Sequence, residues 1–579
     1  MTWEEKIYTR LRRLYQTDEK ADEALKKIRE RLDKYEAPEK CADSPQTADG
    51  LLEIEGRCPS LTQKDTMLIT YGDTLRAEGE PGLKTLIRFL DRYVGHAIEH
   101  VHLLPMYPYT SDDGFSVVDY RKINPALGSW DEIRELSRGY GMMFDAVINH
   151  VSRSSEWFRL FAEQKKPYTD YFIVCDPDDD YSQVARPRAL PLLTKVDTAD
   201  GEKYVWTTFS TDQIDLNFHS PDVLAEILDI LVFFGRSGAT FIRLDAIGYS
   251  WKKKGTSCLN LPEAHELVRL IHDVLTEYSP GTSLITETNV PQEENLAYFG
   301  DGTDEAQLVY QFPLPPLTMY TLITGDSSVM TRWLKEQKTP SEQTAFFNFL
   351  SSHDGIGLRP TEGILTPEQR ELLVETTLRN GGQVSYKDNG DGTKSPYELN
   401  INYQDALAGP EDSDEVRIGR FLAAETLLIS LQGMPGIYIH SLLGSRNDYL
   451  GAAVSGIPRR INRAQLELAQ VEEWLSDQSS NRSRIFYELI RRLNIRRELQ
   501  AFSPQEKQQV LEAGSSLIAF TRSQGDNQIL VLINVTGQEA TFEDPVIRGR
   551  DLLCEDTQVM PGRITLRPYQ AAWLSGKEQ

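Results

Sequence analysis

Cysteine is scarce in this chain. Five residues (Cys41, Cys58, Cys175, Cys258 and Cys554) are scattered over 579 positions, odd in number and without a C-x-x-C spacing. A disulfide framework or a zinc site is therefore not expected, and a reducing, cytoplasmic setting is. Of the nine histidines only His96 and His100 stand at H-x-x-x-H spacing, without the glutamate that follows the first histidine in H-E-x-x-H, so no metal centre is anticipated. Basic residues are outnumbered by acidic ones, 62 to 87, for a formal net charge of −25. That balance serves solubility and argues against a nucleic-acid partner, which needs a basic face. Any anionic ligand must then be held by local arginines or lysines against the overall field. No window approaches the roughly 18 uninterrupted apolar residues of a membrane span, and the opening MTWEEKIYTRLRRLYQ has no apolar signal region. Internal repeats and low-complexity tracts are also lacking.

What is present is the composition of a soluble globular protein, 40% hydrophobic and 26% charged, with a length that suggests more than one domain. Residues 3 to 36 carry Ile7, Leu11, Leu14, Leu25, Ile28 and Leu32 at helical spacing, which predicts one or two amphipathic helices. Pro38, Pro45, Gly50 and Pro59 mark a linker after them. Eight short apolar runs follow: 66–71, 99–105, 141–150, 239–247, 282–288, 306–312, 345–353 and 434–440. Most are separated by helical segments such as GLKTLIRFLDRYV and PDVLAEILDILVFFG. This alternation predicts an α/β fold, a (β/α)8 TIM barrel. The expected organisation is an N-terminal helical extension (1–62), a barrel over 63–150, 213–354 and 411–500, insertions after strand three (151–212) and strand seven (355–410), and a C-terminal antiparallel β-sandwich (501–579). Insertions at strand C-terminal ends are commonly active-site lids.

The strand ends are unusually polar. Asp145, Asn149 and His150 close the third run, Arg243 and Asp245 the fourth, Glu287 the fifth, His353 and Asp354 the seventh. One such group can be a satisfied structural residue, but carboxylates on several strands of one barrel mouth are costly to bury unless paired or used. Positions i and i+2 of a strand share a face, so Arg243 and Asp245 point the same way. Three carboxylates and an arginine suit retaining glycosyl transfer, in which one carboxylate attacks, a second carboxyl serves as acid/base, and the arginine keeps the first ionised.

DAVINH, FIRLD, ITETN and SSHD, in this order, resemble the four short motifs of glycoside hydrolase family 13, the α-amylase family. The resemblance implies Asp245 as nucleophile, Glu287 as acid/base and Asp354 as the carboxylate that stabilises the distorted sugar. It also implies Arg243, His150 and His353 around the glucosyl ring. SDDGFSVVDY, RPRALPLL, DQIDLN, RLDAIGYSWKKKGTSC, SHDGIG, LGSRNDY and RINR are similar to the sucrose phosphorylase subgroup, whose members send the glucosyl-enzyme to phosphate. That likeness places Asp112 and Phe115 at the glucose site, Gln213 and Tyr249 near the acceptor, and Arg459 against the sugar. Arg188 becomes the leading phosphate ligand, with Lys394 and Tyr397 also on the phosphate and acceptor side. A guanidinium fork suits phosphate, although Arg186 and Arg188 could equally be solvated charges of a surface loop.

The N-terminal extension, ITETNVP, DGTKSPYELN and SDEVRIGRFLAAETLLIS are similar to the glucosylglycerate phosphorylases of this subgroup. The implied reaction converts 2-O-α-glucosylglycerate and inorganic phosphate to α-glucose 1-phosphate and glycerate, with no cofactor and no metal. Arg188, Arg359, Lys387, Lys394 and Arg446 are the cations available to the glycerate carboxylate. Sucrose, sucrose 6-phosphate and glucosylglycerol remain alternative substrates. A hydrolase or transglucosidase differs in not needing phosphate, and a non-catalytic, transporter-associated member would lack part of the carboxylate set and carry a membrane span. Some family members hold calcium near the first insertion, where Asn149 would be a ligand; none is expected here. The first 60 residues are expected to pack on the barrel, with a dimer contact as the alternative, and the chain to be a monomer or homodimer.

Overall fold

The computed structural model describes residues 2–35, 61–188, 190–388, 393–524 and 527–575. The linker residues Pro38, Pro45, Gly50 and Pro59, and Cys41 and Cys58, lie outside them. Each of the eight apolar runs contributes one strand of a closed parallel barrel. The strands are β1 (Met67–Thr70), β2 (His100–Leu103), β3 (Gly141–Ala146), β4 (Ala239–Leu244), β5 (Ser283–Thr286), β6 (Leu308–Tyr310), β7 (Ala345–Phe349) and β8 (Met434–Tyr438). Nearly every residue of these strands is buried, as expected of a parallel sheet covered on one side by helices and filled on the other by its own side chains. The register sets Arg243 on β4 directly beside Asp145 on β3 and Ile285 on β5, so the arginine enters the mouth next to a carboxylate.

Two helices, α1 (Trp3–Tyr15) and α2 (Asp18–Leu32), form the N-terminal hairpin. Thr2 and Glu5 make a capping box at the start of α1 and Thr17 caps α2, while Gln16 takes the left-handed turn between them at φ 61°. Ile7, Leu11 and Leu14, then Ala21, Ala24, Ile28 and Leu32, are buried. The hairpin lies on the barrel helices α3 (Pro221–Arg236) and α4 (Pro262–Tyr278), packed as expected. Its seam is basic on one side and acidic on the other. Lys6 and Arg10 reach Asp273 at 2.6 and 3.0 Å, Lys27 reaches Asp222 at 2.8 Å, and Lys34 reaches Asp229 at 2.7 Å.

The chain between β3 and β4 leaves the barrel through a short antiparallel pair, His150–Ser152 with Gln213–Asp215, and builds a three-stranded sheet from Val174–Cys175, Gly201–Trp206 and Leu193–Thr198. The chain after β7 forms a second three-stranded sheet from Ile356–Gly357, Lys394–Asn400 and Gln383–Asp388. It also contains a helix, Pro367–Arg379, that the turn-rich reading of this region did not foresee. Its signals are present nonetheless, a Thr366 cap, Pro367 at the first position and Gln369 closing a capping box. At the C-terminus a five-stranded and a three-stranded antiparallel sheet face each other around Leu530, Leu532, Phe542, Ile564 and Leu574. The buried Trp573 indole donates to Ser430 Oγ at 2.8 Å and ties this unit to the barrel. No helix among the described residues is long and apolar enough to cross a membrane.

Asp273→Ala is expected to lower the unfolding free energy by about 3 kcal/mol, because the buried Arg10 guanidinium loses its main counter-charge. Chemical unfolding checks this; an unchanged midpoint would mean that the charged seam contributes nothing to holding the hairpin.

Candidate active site

The mouth of the barrel is organised by Arg243, which is 2% exposed. Its Nη1 donates to Asp245 Oδ1 at 2.8 Å and also contacts Asp145, and its Nη2 stands 3.9 Å from Glu287 Oε2. His102 on β2 holds the other oxygen of Asp145 at 2.7 Å. Above the guanidinium lie the rings of Phe115 and Tyr310, at 5.8 and 5.7 Å. Glu287 follows β5 immediately, and its Oε2 accepts from the Ala246 amide at 3.1 Å. Ala246 has φ 48°, a left-handed conformation unfavourable for a residue with a Cβ. It aims an amide at the carboxyl that faces its neighbour, Asp245.

Burial, and then the neighbouring carboxylates Glu287, Asp145 and Asp354, raise Asp245 although Arg243 opposes them. Arg243 thus pulls Asp245 toward its ionised form against burial and the surrounding carboxylates. Burial likewise raises Glu287, with Asp354 adding to it. Asp354 behaves oppositely. Burial would raise it, but Arg459, His353 and Arg463 together hold it well below the usual carboxylate range. Arg459 Nη1 lies 2.5 Å from Asp354 Oδ1, and the rest of the same guanidinium forks onto Glu398 at 2.8 and 2.5 Å.

The wall opposite Glu398 comes from the loop after β2 and from the first insertion. Asp112, Asp113 and Gly114 have φ of 54°, 50° and 111°, and a Cβ at Gly114 would come within 2.9 Å of the Pro105 carbonyl oxygen. Strain of about 1–3 kcal/mol per such non-glycine residue is opposed by ion pairs on both aspartates: Arg188 Nη2 is 3.1 Å from Asp112, and Arg463 Nη1 is 2.7 Å from Asp113. The tight loop delivers Phe115, which stacks on His353 at 4.8 Å and 3°. The Phe115 carbonyl faces His150 Nε2 at 2.8 Å and accepts from Gln213 Nε2 at 2.9 Å. Burial lowers the pKa of both histidines, that of His353 to about 3, so their rings are neutral hydrogen-bonding groups.

One pocket is lined by Asp112, Phe115, His150, Arg188, Gln213, Arg243, Tyr249, Asp245, Glu287, His353, Asp354, Tyr397 and Arg459. The structure does not bring Lys394 to it: this lysine opens the middle strand of the second insertion's sheet, and its side chain is exposed. Arg446 is tied to Asp405 at 2.6 Å, and Arg359 and Lys387 line a neighbouring cavity. The sequence reading missed His102, Phe209, Tyr310 and Glu398, all of which line the pocket. A histidine inside the apolar run EHVHLLP was the available signal for His102. Glu398 had none, because its importance comes from Arg459, 61 positions away.

Asn149, the candidate metal ligand, has its Oδ1 occupied by the Lys252 ammonium at 2.8 Å, and the same nitrogen is 2.6 Å from Asp215 Oδ2. An internal cation thus joins the first insertion to the barrel. Among the described residues no three His, Cys, Asp or Glu side chains are grouped so as to hold a metal ion.

Residues 78–357 match the family model described as alpha amylase, catalytic domain. A glucosylglycerate phosphorylase of Allomeiothermus silvanus is 48% identical over 515 residues, covering 89% of this chain and 91% of that protein. The chain belongs to the α-amylase family. A glucosylglycerate phosphorylase of Escherichia coli, also similar, is 42% identical over 88% of this chain and 92% of its own. The solved sucrose 6F-phosphate phosphorylase from Thermoanaerobacter thermosaccharolyticum superposes with a TM-score of 0.72 at 27% identity, over 84% of this chain and 96% of that one. For an α-amylase family member, the polar strand ends of this barrel lie where the fold places its chemistry.

Lys252→Ala should destabilise the protein by about 3–5 kcal/mol, since Asp215 would be left buried without a counter-charge. Lys252→Met is expected to do the same, which separates charge from side-chain volume; a loss in the first variant alone would mean that packing, not the ion pair, holds the insertion. Chemical unfolding reads both.

Proposed function

We propose that the protein is a retaining phosphorylase acting on 2-O-α-glucosylglycerate. The observation that carries this reading is the conjunction in one pocket of the Arg243-bonded Asp245, the buried Glu287 and the guanidinium of Arg188. The extended likeness to glucosylglycerate phosphorylases supports the choice of substrate. Asp245, the carboxyl that accepts from Arg243, attacks the anomeric carbon. Glu287, raised by burial, holds the shared proton and delivers it to the departing 2-oxygen of glycerate. Phosphate then attacks the glucosyl–Asp245 ester from the face glycerate has left, Glu287 accepts a proton from it, and two inversions yield α-glucose 1-phosphate. Asp354, kept ionised by Arg459, stabilises the oxocarbenium-like transition state. Arg188 turns from Asp112 to phosphate, a fork matching its oxygens. Phe115, His150, His353, Gln213 and Tyr249 shape the glucose and acceptor subsites. No cofactor is needed; phosphate is a co-substrate. The same reading places the protein in the cytoplasm, as a monomer or homodimer.

The deciding experiment is release of α-glucose 1-phosphate in phosphate buffer from glucosylglycerate, sucrose, sucrose 6-phosphate and glucosylglycerol. The first is the expected substrate. Preference for another keeps the mechanism and changes the acceptor, and free glucose at the same rate without phosphate would make the protein a hydrolase. Asp245→Ala should lower turnover by about 10⁴-fold or more while the protein stays folded.

Because burial raises Glu287, its acid form persists above the ordinary carboxylate range, and kcat/KM should fall as pH rises through that raised value. Glu287→Gln should remove this alkaline limb with most glucosylglycerate turnover, yet spare the first step with α-glucosyl fluoride, whose leaving group needs no proton. An unchanged alkaline limb would assign the acid elsewhere.

A further inference from the structure

We propose that Arg359 binds the carboxylate of the glycerate acceptor, which it meets beside Tyr397 at the edge of the catalytic pocket. This rests on the phosphorolysis of glucosylglycerate proposed above and names the residue that would set the choice of acceptor.

The backbone explains the placement. Beyond Asp354 the chain forms the short strand Ile356–Gly357, whose residues pair with Leu399 and Glu398. The Leu358 amide then donates to the Tyr397 carbonyl at 3.1 Å. Arg359 follows at once, opening a single turn to Thr361. It therefore lies against the same hairpin strand that presents Tyr397 to the catalytic pocket. On this side is a second cavity of about 230 Å3, lined among others by Arg359, Arg370, Lys387, Glu362 and Glu371, with Tyr397 as a wall common to both spaces.

Charge singles out Arg359. Inside the catalytic pocket each guanidinium is already engaged: Arg188 by Asp112, Arg243 by Asp145 and Asp245, Arg459 by Asp354 and Glu398. Of the other cations open to the acceptor, Arg446 is held by Asp405, Lys394 is exposed at the hairpin end, and Lys387 stands on the outer strand Gln383–Asp388, one strand further from Tyr397's neighbour Leu358. Arg370 donates to the Leu365 carbonyl at 2.9 Å. Among the described residues no carboxylate pairs with Arg359, although Glu362 and Glu371 line its cavity. A half-buried guanidinium with no carboxylate partner among the described residues, in a chain with 25 more acidic than basic charges, suits an anion.

Position fits the ligand. In glycerate the carboxylate is one carbon from the oxygen that leaves, so its anchor must reach the wall nearest Glu287. Tyr249 and Tyr397 line the catalytic pocket together with Glu287, and Tyr397 also lines the cavity of Arg359. Burial raises both phenols, the charge of Glu287 adds to the shift, and the positive charge of Arg359 opposes it. A neutral acceptor has no use for this charge.

The test compares wild type, Arg359→Gln and Arg359→Lys on glucosylglycerate and on glucosylglycerol, which share the glucosyl group and differ in the acceptor's charge. The readout is the ratio of the two kcat/KM values within each preparation, which does not depend on the folded fraction, together with KM for phosphate. Arg359→Gln should lower the preference for glucosylglycerate by about ten- to a hundred-fold, Arg359→Lys should restore part of it, and KM for phosphate should move less than about two-fold. An unchanged ratio in Arg359→Gln overturns the assignment, and so does a loss confined to KM for phosphate, which would make Arg359 a phosphate ligand. A wild type that ignores glucosylglycerate sinks the functional reading itself, and the assignment with it.

Discussion

A single buried guanidinium organises this active site. Arg243 is placed by strand register beside Asp145 and by strand alternation on the same face as Asp245. Taking such a charge out of water is expensive, and it is tolerated only because carboxylates surround it. His102 secures Asp145 from behind, and Phe115 and Tyr310 close over the guanidinium. Asp245, Glu287, Phe115 and Tyr310 all take their positions around the one cation, so replacing Arg243 would leave several buried acids with no reason to stay ionised or in place.

The arginines of the pocket are occupied by carboxylates, which in the proposed reaction would yield them to phosphate. An acidic protein cannot attract phosphate by its overall field. Here Arg188 rests on Asp112 and Arg459 bridges Asp354 and Glu398. These pairs hold cations where an incoming anion can take over some of their hydrogen bonds. They also separate the behaviour of three neighbouring carboxyls. Asp354, surrounded by positive charge, stays ionised, while burial and mutual repulsion push Asp245 and Glu287 up. Environment alone thus sets one of the three carboxyls apart from the other two.

Charge also fastens the additions to the barrel. The N-terminal hairpin is basic where it meets the acidic faces of α3 and α4, and the first insertion is pinned by Lys252 between Asn149 and Asp215. In both cases the apolar contact supplies the adhesion and the ion pairs select the geometry, since unmatched buried charges would penalise any other arrangement.

The sequence by itself determined the barrel. Eight apolar runs of the right length, alternating with helices, have few other ways to bury themselves, and the carboxylates at their ends can only meet at one mouth. The helix Pro367–Arg379 was legible too, in its caps, but the turn formers around it hid the signal. Only the tertiary structure decided the rest. Glu398, His102 and Phe209 acquire their place from partners far away in the chain. Lys394, conspicuous in its motif, ends exposed on the hairpin, whereas Arg359 shares a cavity with Tyr397 and has no carboxylate partner among the described residues. The reason is the same throughout. Periodicity and caps are written in neighbouring residues, but the protonation of Asp245 and the pairing of an arginine depend on burial and on charges brought together by folding, which no local stretch contains.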